Sequence, residues 1–202
     1  MDINSFEGTF LHVGCGNSTK ERTPFANYNW KEIRFDINPN ANPDIIGTIT
    51  DMKGVNDHSV DAIFSSHNIE HVFCHEVPRV LSEFKRVLKA DGFALITCPD
   101  LTYVCELISQ DKLLEPAYES PSGPISPIDI VYGHRASIAA GNHYMAHKCG
   151  FTPKVLNSSL IGAGFKQVAT LARKSAYDIW ALATNQEWEK AILEKNAKLL
   201  FP

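Results

Sequence analysis

Hydrophobic positions along the chain follow two alternating patterns. Short continuous apolar runs lie at Thr9–Val13, Ile33–Ile37, Asp44–Thr48, Val60–Ser66, Phe93–Cys98, Phe165–Leu171 and Asp178–Thr184. Runs of this length, bounded by Gly, Pro, Asn and Asp, predict buried strands. Helical spacing is clearest from Asn68 to Lys89, where Ile69, Val72, Phe73, Val77, Val80, Leu81, Phe84, Val87 and Leu88 recur at three- and four-residue intervals. Pro78 within it predicts a kink or a break, and Gly92 is its expected C-terminal glycine. Further helices are expected from Leu101 to Leu114, from Thr152 (a cap before Pro153) to Ala163, and from Glu187 to Leu200. Asn17 to Trp30 is rich in turn formers and carries no apolar stripe, so the helix that normally follows a first strand is expected to be short or absent.

Strands alternating with helices predict an α/β fold, here a Rossmann-like, mostly parallel sheet of seven strands with helices on both faces. The last two strands are joined by a short polar turn, which makes the final one antiparallel. At 202 residues, with no linker or repeat, residues 1–202 form one expected domain. Residues 101–150 interrupt the alternation. Pro116, Pro121, Gly123, Pro124 and Pro127 lead into a stretch holding Tyr132, His134, His143, Tyr144 and His147. An insertion this long over the carboxyl ends of the strands is expected to carry ligand specificity.

Composition narrows the picture modestly. A 44% hydrophobic content suits one sizeable core, and a net charge of −4 argues against a nucleic-acid partner. No apolar run is long enough to span a bilayer, so no membrane partner is expected. Met1 to Ser5 lacks the order of a signal peptide, and five cysteines without paired spacing suit a reduced, cytoplasmic protein. The oligomeric state is left open.

The chemistry starts at Leu11-His12-Val13-Gly14-Cys15-Gly16, an apolar run that ends in Gly-x-Gly. Such glycines let backbone approach a ligand closely. About 20 residues on, Ile33-Arg34-Phe35-Asp36 ends a second run in an acid, the pattern by which α/β sheets hold a ribose. These residues, with Thr50-Asp51-Met52, Glu70-His71-Val72, Arg86-Val87-Leu88-Lys89-Ala90-Asp91-Gly92 and Gly164-Phe165, resemble the ordered motifs of class I S-adenosylmethionine-dependent methyltransferases, type 11 in particular. His12 stands where that family carries Asp or Glu. The resemblance implies S-adenosylmethionine as cofactor. It would be held by His12, Gly14, Cys15 and Gly16, by Asp36 and Ile37 at the ribose, by Asp51 and Met52 at the adenine, and by Ser66 and His67 at the methionine end. Methyl transfer needs mainly alignment of the nucleophile, with a base where the acceptor is a hydroxyl or amine. His67, Asp100 and His143 are the candidate catalytic residues, and a small-molecule or carbohydrate-like acceptor is expected.

Two histidine groups invite a metal: His67, His71, Cys74 and His75, and separately His134, His143, His147 and Cys149. The first has no matching acid or cysteine pair to complete a tetrahedron, the second is better read as acceptor binding or loop packing, and no metal is expected. Two other functions compete with methyl transfer. A nicotinamide oxidoreductase predicts a helix directly after the glycine turn and a third glycine, and Asn17–Trp30 supplies neither. A catalytically silent domain that binds S-adenosylmethionine or its product, or one that only mediates protein contacts, is the other.

Overall fold

The central strands are almost wholly buried, and the order in which the strands pair sets the frame of the molecule. The computed structural model describes Ile3 and residues 7–202; the reading of Met1 to Ser5 as lacking a signal sequence lies outside the described residues, Ile3 apart. Strands β1 (Thr9–Val13), β2 (Lys31–Asp36), β3 (Ile45–Ile46), β4 (Val60–Ser66), β5 (Leu88–Pro99), β8 (Gln167–Arg173) and β9 (Asp178–Thr184) form one sheet in the order β3-β2-β1-β4-β5-β9-β8. All neighbours among the first five are parallel, and β9 runs antiparallel to both β5 and β8. Strand order reverses between β1 and β4, and open α/β sheets bind ligands beyond the carboxyl ends of strands at such a point.

The best-patterned helix is shorter than its periodicity predicts. Helix α1 covers Val77–Val87, with Pro78 in its first turn rather than its interior. Proline lacks the N–H that the first turn leaves unused, so it starts the helix instead of kinking it. The preceding apolar residues lie on two 3-10 turns, Ile69–His71 and Cys74–Glu76. Gly92 is not the helix stop. Leu88 caps α1 and already begins β5, and a Cβ at Gly92 would lie 2.9 Å from the Asp61 carbonyl oxygen, so glycine is there for close strand contact.

The first helix is absent. Only a 3-10 turn at Lys20–Arg22 follows the glycine turn. That face of the sheet is covered instead by aromatic residues: Phe25 stacks on Phe10 at 4.4 Å and meets Trp30 at 5.1 Å. Phe64, Phe93, Trp180 and Trp188 complete this layer with α6 (Lys190–Leu200). The opposite face packs α1, through Leu81 and Phe84, and α5 (Pro153–Gly162) over Leu11, Val13, Ile63 and Ile96. Thr152 caps α5 by accepting from the Val155 N–H.

Residues 101–150 are structured. Helix α2 (Leu101–Ser109) is followed by a hairpin, β6 (Tyr118–Ser120) and β7 (Gly123–Ile125), then by α3 (Pro127–Tyr132), α4 (Arg135–Ala139) and a 3-10 turn at His143–Met145. Val104, Ile125 and Ile130 give this segment its own small core. Among the described residues no helix is long and apolar enough to cross a membrane, and all five cysteines are free.

Candidate active site

The glycine turn sits at the carboxyl end of β1, held by hydrogen bonds from below. The N–H groups of Gly14 and Cys15 donate to the Phe35 carbonyl at 2.9 and 3.3 Å. Gly14 and Gly16 have φ of +65° and +49°, a region that side chains disfavour. A Cβ on Gly14 would lie 2.5 Å from Asn68 Cγ, so glycine is required twice over. Asp36, at the end of β2, accepts from the Gly16 N–H (2.7 Å) and the Asn38 N–H (2.8 Å). Arg34 braces the same loop through the carbonyls of Gly16, Ser18, Ala41 and Asn42.

These residues border a cavity of about 330 Å³. One side is Gly14, Gly16, Asp36, Ile37 and Asn38. A second is the strip Gly47–Thr50, and a third is His67, Asn68, His71 and Val72. Asn142, Tyr144, Met145 and Lys148 close it from the insertion. A second cavity, about 410 Å³, lies under the insertion and is lined by Tyr118, Ser120, Ser122, His134, Ser137, His147 and Tyr177 among others. The two cavities share His67, His71 and Met145.

His67 occupies that shared wall. It has φ +48°, uncommon for a non-glycine residue, fixed by donation of its N–H to the Thr97 carbonyl at 2.8 Å. Its Nδ1 lies 3.5 Å from Glu70 Oε1, too long for a well-formed hydrogen bond. Burial opposes a charge on His67, but the neighbouring Glu70 carboxylate outweighs it and raises its pKa. Glu70 is only 1% exposed, and neither carboxylate oxygen has a hydrogen-bond donor. Burial also opposes its charge, and His67, His71 and His147 around it hold its pKa below the ordinary value. A buried acceptor left unpaired costs about 1–3 kcal/mol, and more when charged. This turn is strapped to the insertion, because the N–H groups of Lys148 and Cys149 donate to the Glu70 carbonyl at 2.8 and 3.2 Å.

Several residues singled out from sequence lie elsewhere. His12 points into the aromatic layer, 5.2 Å from the Phe64 ring, with Nδ1 2.6 Å from Glu32; burial lowers its pKa. Alternation along β1 sends it away from the cavity. Cys15 is buried, its thiol pushed up to about 11 by that burial. Met52 is fully buried in the core, and Asp51 pairs with the exposed Lys53 while its neighbours Thr48, Ile49 and Thr50 line the cavity. Ser66 borders neither cavity. Asp100 is 1% exposed and caps α2, its Oδ1 accepting from the Thr102 N–H at 2.9 Å. His143 is exposed; within its 3-10 turn, Tyr144 and Met145 face the cavity instead. Pattern reading missed Arg34, Met145 and Lys148, whose roles arise from loops meeting in space; Asn68, just past the end of β4, is expected from that place to line the site and does. The tertiary link of Glu70 to His147 has no local signal either.

The chemistry of the first cavity suits a nucleoside bearing an amino-acid tail. Asp36 keeps lone pairs beyond its two backbone donors, the glycines leave the wall bare, and Asn68 Nδ2 is a buried donor without a partner. Fold and site together define a nucleoside-cofactor domain of the open α/β kind. A methyltransferase-domain family model matches residues 11–96, and the chain is similar to the class I S-adenosylmethionine-dependent methyltransferases. No curated protein matches it in sequence. A solved S-adenosylmethionine-dependent methyltransferase from Archaeoglobus fulgidus superposes with TM-score 0.58 at 16% identity, covering 90% of this chain and 87% of that one. A methyltransferase from Aquifex aeolicus gives 0.54 at 16% identity, covering 89% and 82%. The 1,6-didemethyltoxoflavin-N1-methyltransferase of Burkholderia thailandensis gives 0.57 at 14%, covering 90% and 72%.

Proposed function

We propose that the chain transfers a methyl group from S-adenosylmethionine to a small polar molecule held under the insertion. The observation that carries this reading is the meeting of two cavities at His67, His71 and Met145. The first, beside the glycine turn, takes the cofactor. Asp36 accepts from the ribose hydroxyls, Gly14 and Gly16 give backbone room, and Asn68 Nδ2 donates to the ligand. Of the residues expected to hold the cofactor, Gly14, Gly16, Asp36, Ile37 and His67 border this cavity.

The cofactor's sulfonium supplies an already activated methyl group, so the protein's share is alignment and proton handling. Hydroxyls of Tyr118, Ser120, Ser122, Ser137 and Tyr177, with the His134 imidazole, line the second cavity and suit a polar acceptor. Its size fits a small molecule rather than a polymer. The toxoflavin-pathway relative acts, by its name, on a small molecule, and the same class is proposed here. His67, on the shared wall, takes the proton that an acceptor hydroxyl or amine releases. Asp100 and His143 have no part in this reading.

The test uses purified protein, S-adenosylmethionine labelled in the methyl group, and a cell extract separated into small-molecule, nucleic-acid and protein fractions. Label is expected in the small-molecule fraction. Label confined to a macromolecular fraction contradicts the acceptor class. Tight binding of S-adenosylhomocysteine with no label transferred to any fraction contradicts the activity and leaves a silent binding domain.

A further inference from the structure

The wall between the two cavities holds a set of side chains that methyl transfer does not require. We infer that Glu70, His71 and His147 form a site for a single zinc ion, with an open coordination position facing the cavity under the insertion. Their ligand atoms lie within 4.8 Å of one another.

Three observations carry this. Glu70 is a buried carboxylate whose two oxygens have no hydrogen-bond donor, and two imidazole nitrogens lie close to it, His67 Nδ1 at 3.5 Å and His147 Nε2 at 3.9 Å. Both proposed histidine ligands are oriented by backbone carbonyls. His71 Nδ1 is 3.1 Å from the Ala146 oxygen, and His147 Nδ1 is 2.8 Å from the Ile130 oxygen. A carbonyl only accepts, so each Nδ1 carries the proton and each Nε2 keeps a lone pair, the arrangement typical of a metal-bound histidine. Finally, the two rings cross edge to face at 4.8 Å, and the ammonium of Lys148 sits over the Phe73 ring, so no lysine fills the gap.

Two imidazoles and a carboxylate suit zinc better than magnesium or calcium, which prefer all-oxygen ligands. Zinc bonds at about 2.0–2.2 Å to each ligand would draw the three side chains inward by small rotations. Three protein ligands leave a fourth position, and sites of that kind bind water or substrate there. His71 borders both cavities and His147 the second, so that position faces the proposed acceptor. That the ion would hold an acceptor heteroatom rests on the methyl-transfer reading; that it binds does not.

The test is zinc titration of the full chain after treatment with chelator, read by competition with a chromophoric chelator. S-adenosylhomocysteine binding is measured on the same samples. One equivalent of zinc is expected to bind the parent at submicromolar affinity. His147→Ala and Glu70→Gln should weaken it at least 100-fold, while Cys74→Ser and Cys149→Ser leave it unchanged. Retained S-adenosylhomocysteine binding in His147→Ala shows that the variant is folded. The parent alone supplies a second readout: cobalt(II) in place of zinc should give visible d–d bands without a thiolate charge-transfer band. A parent that binds no zinc overturns the inference. So does zinc binding that survives both His147→Ala and Glu70→Gln, or a cobalt spectrum with thiolate character. Loss of S-adenosylhomocysteine binding with zinc binding intact would overturn the cofactor reading and leave the metal site standing.

Discussion

Gly14 is the residue on which the cofactor cleft turns. Its φ of +65° and the Asn68 side chain beside it exclude any Cβ without displacement. Gly14→Ala therefore strains the backbone by about 1–2 kcal/mol and pushes Asn68 out of the wall. Gly14→Ala is expected to lose most S-adenosylhomocysteine binding while keeping a cooperative thermal transition, checked by calorimetric titration beside a melting curve. Undiminished binding would remove Gly14 from the site. Gly14, Gly16 and Asp36 were legible because each is announced by neighbours in the chain: a strand, a turn, a strand-ending acid. Met52 and His12 were not, because facing inward or outward depends on which side of β1, or of the loop after β3, the cavity opens. The cluster at Glu70, His71 and His147 was invisible for a different reason. His71 and His147 fall in two separate histidine groups, 76 positions apart, and Glu70 belongs to neither, so only the fold brings the three together.

At the scale of elements, the notable substitution is a layer of aromatic side chains where a first helix would stand. Turn-forming residues from Asn17 to Trp30 made the missing helix legible, but nothing local announced that Phe25 and Trp30 would take its place against Phe10 and Phe93. The long apolar period from Asn68 to Lys89 overstated a helix, because 3-10 turns place apolar residues at nearly the same spacing. The insertion elements have their own electrostatic anchor. Asp129 accepts from the Ser126 N–H and from Arg135, and although burial opposes its charge, those partners hold its pKa below the ordinary 3.8. A depressed carboxylate contributes stability that is full above its unfolded value and is lost as the pH falls through the folded one. Helices α3 and α4 should therefore loosen below about pH 4, before the sheet does. Pepsin cleavage at pH 3 should fall first within residues 126–140, and Asp129→Asn should make that segment equally open at pH 6, read with a protease active there. Uniform cleavage across the chain at pH 3 would contradict this.

For the whole molecule, the strand order and the long insertion act together. The reversal between β1 and β4 opens a cleft, and the insertion covers its outer end with Tyr144, Met145 and Lys148. The sheet, its single antiparallel strand and the place of the insertion were all legible, because each follows from strand count, connection length and turn chemistry. How far the insertion folds back was not, since it depends on the tie between Glu70 and the 146–149 segment. The central claim is that the cleft beside Gly14-Cys15-Gly16 and Asp36 holds S-adenosylmethionine. Calorimetric titration of the parent and of Asp36→Ala with S-adenosylhomocysteine and with NAD tests it most directly. Micromolar or tighter binding of S-adenosylhomocysteine is expected, with none of NAD, and a loss of at least 10-fold in Asp36→Ala. Binding of NAD alone, or equal affinity in the two proteins, would contradict the account.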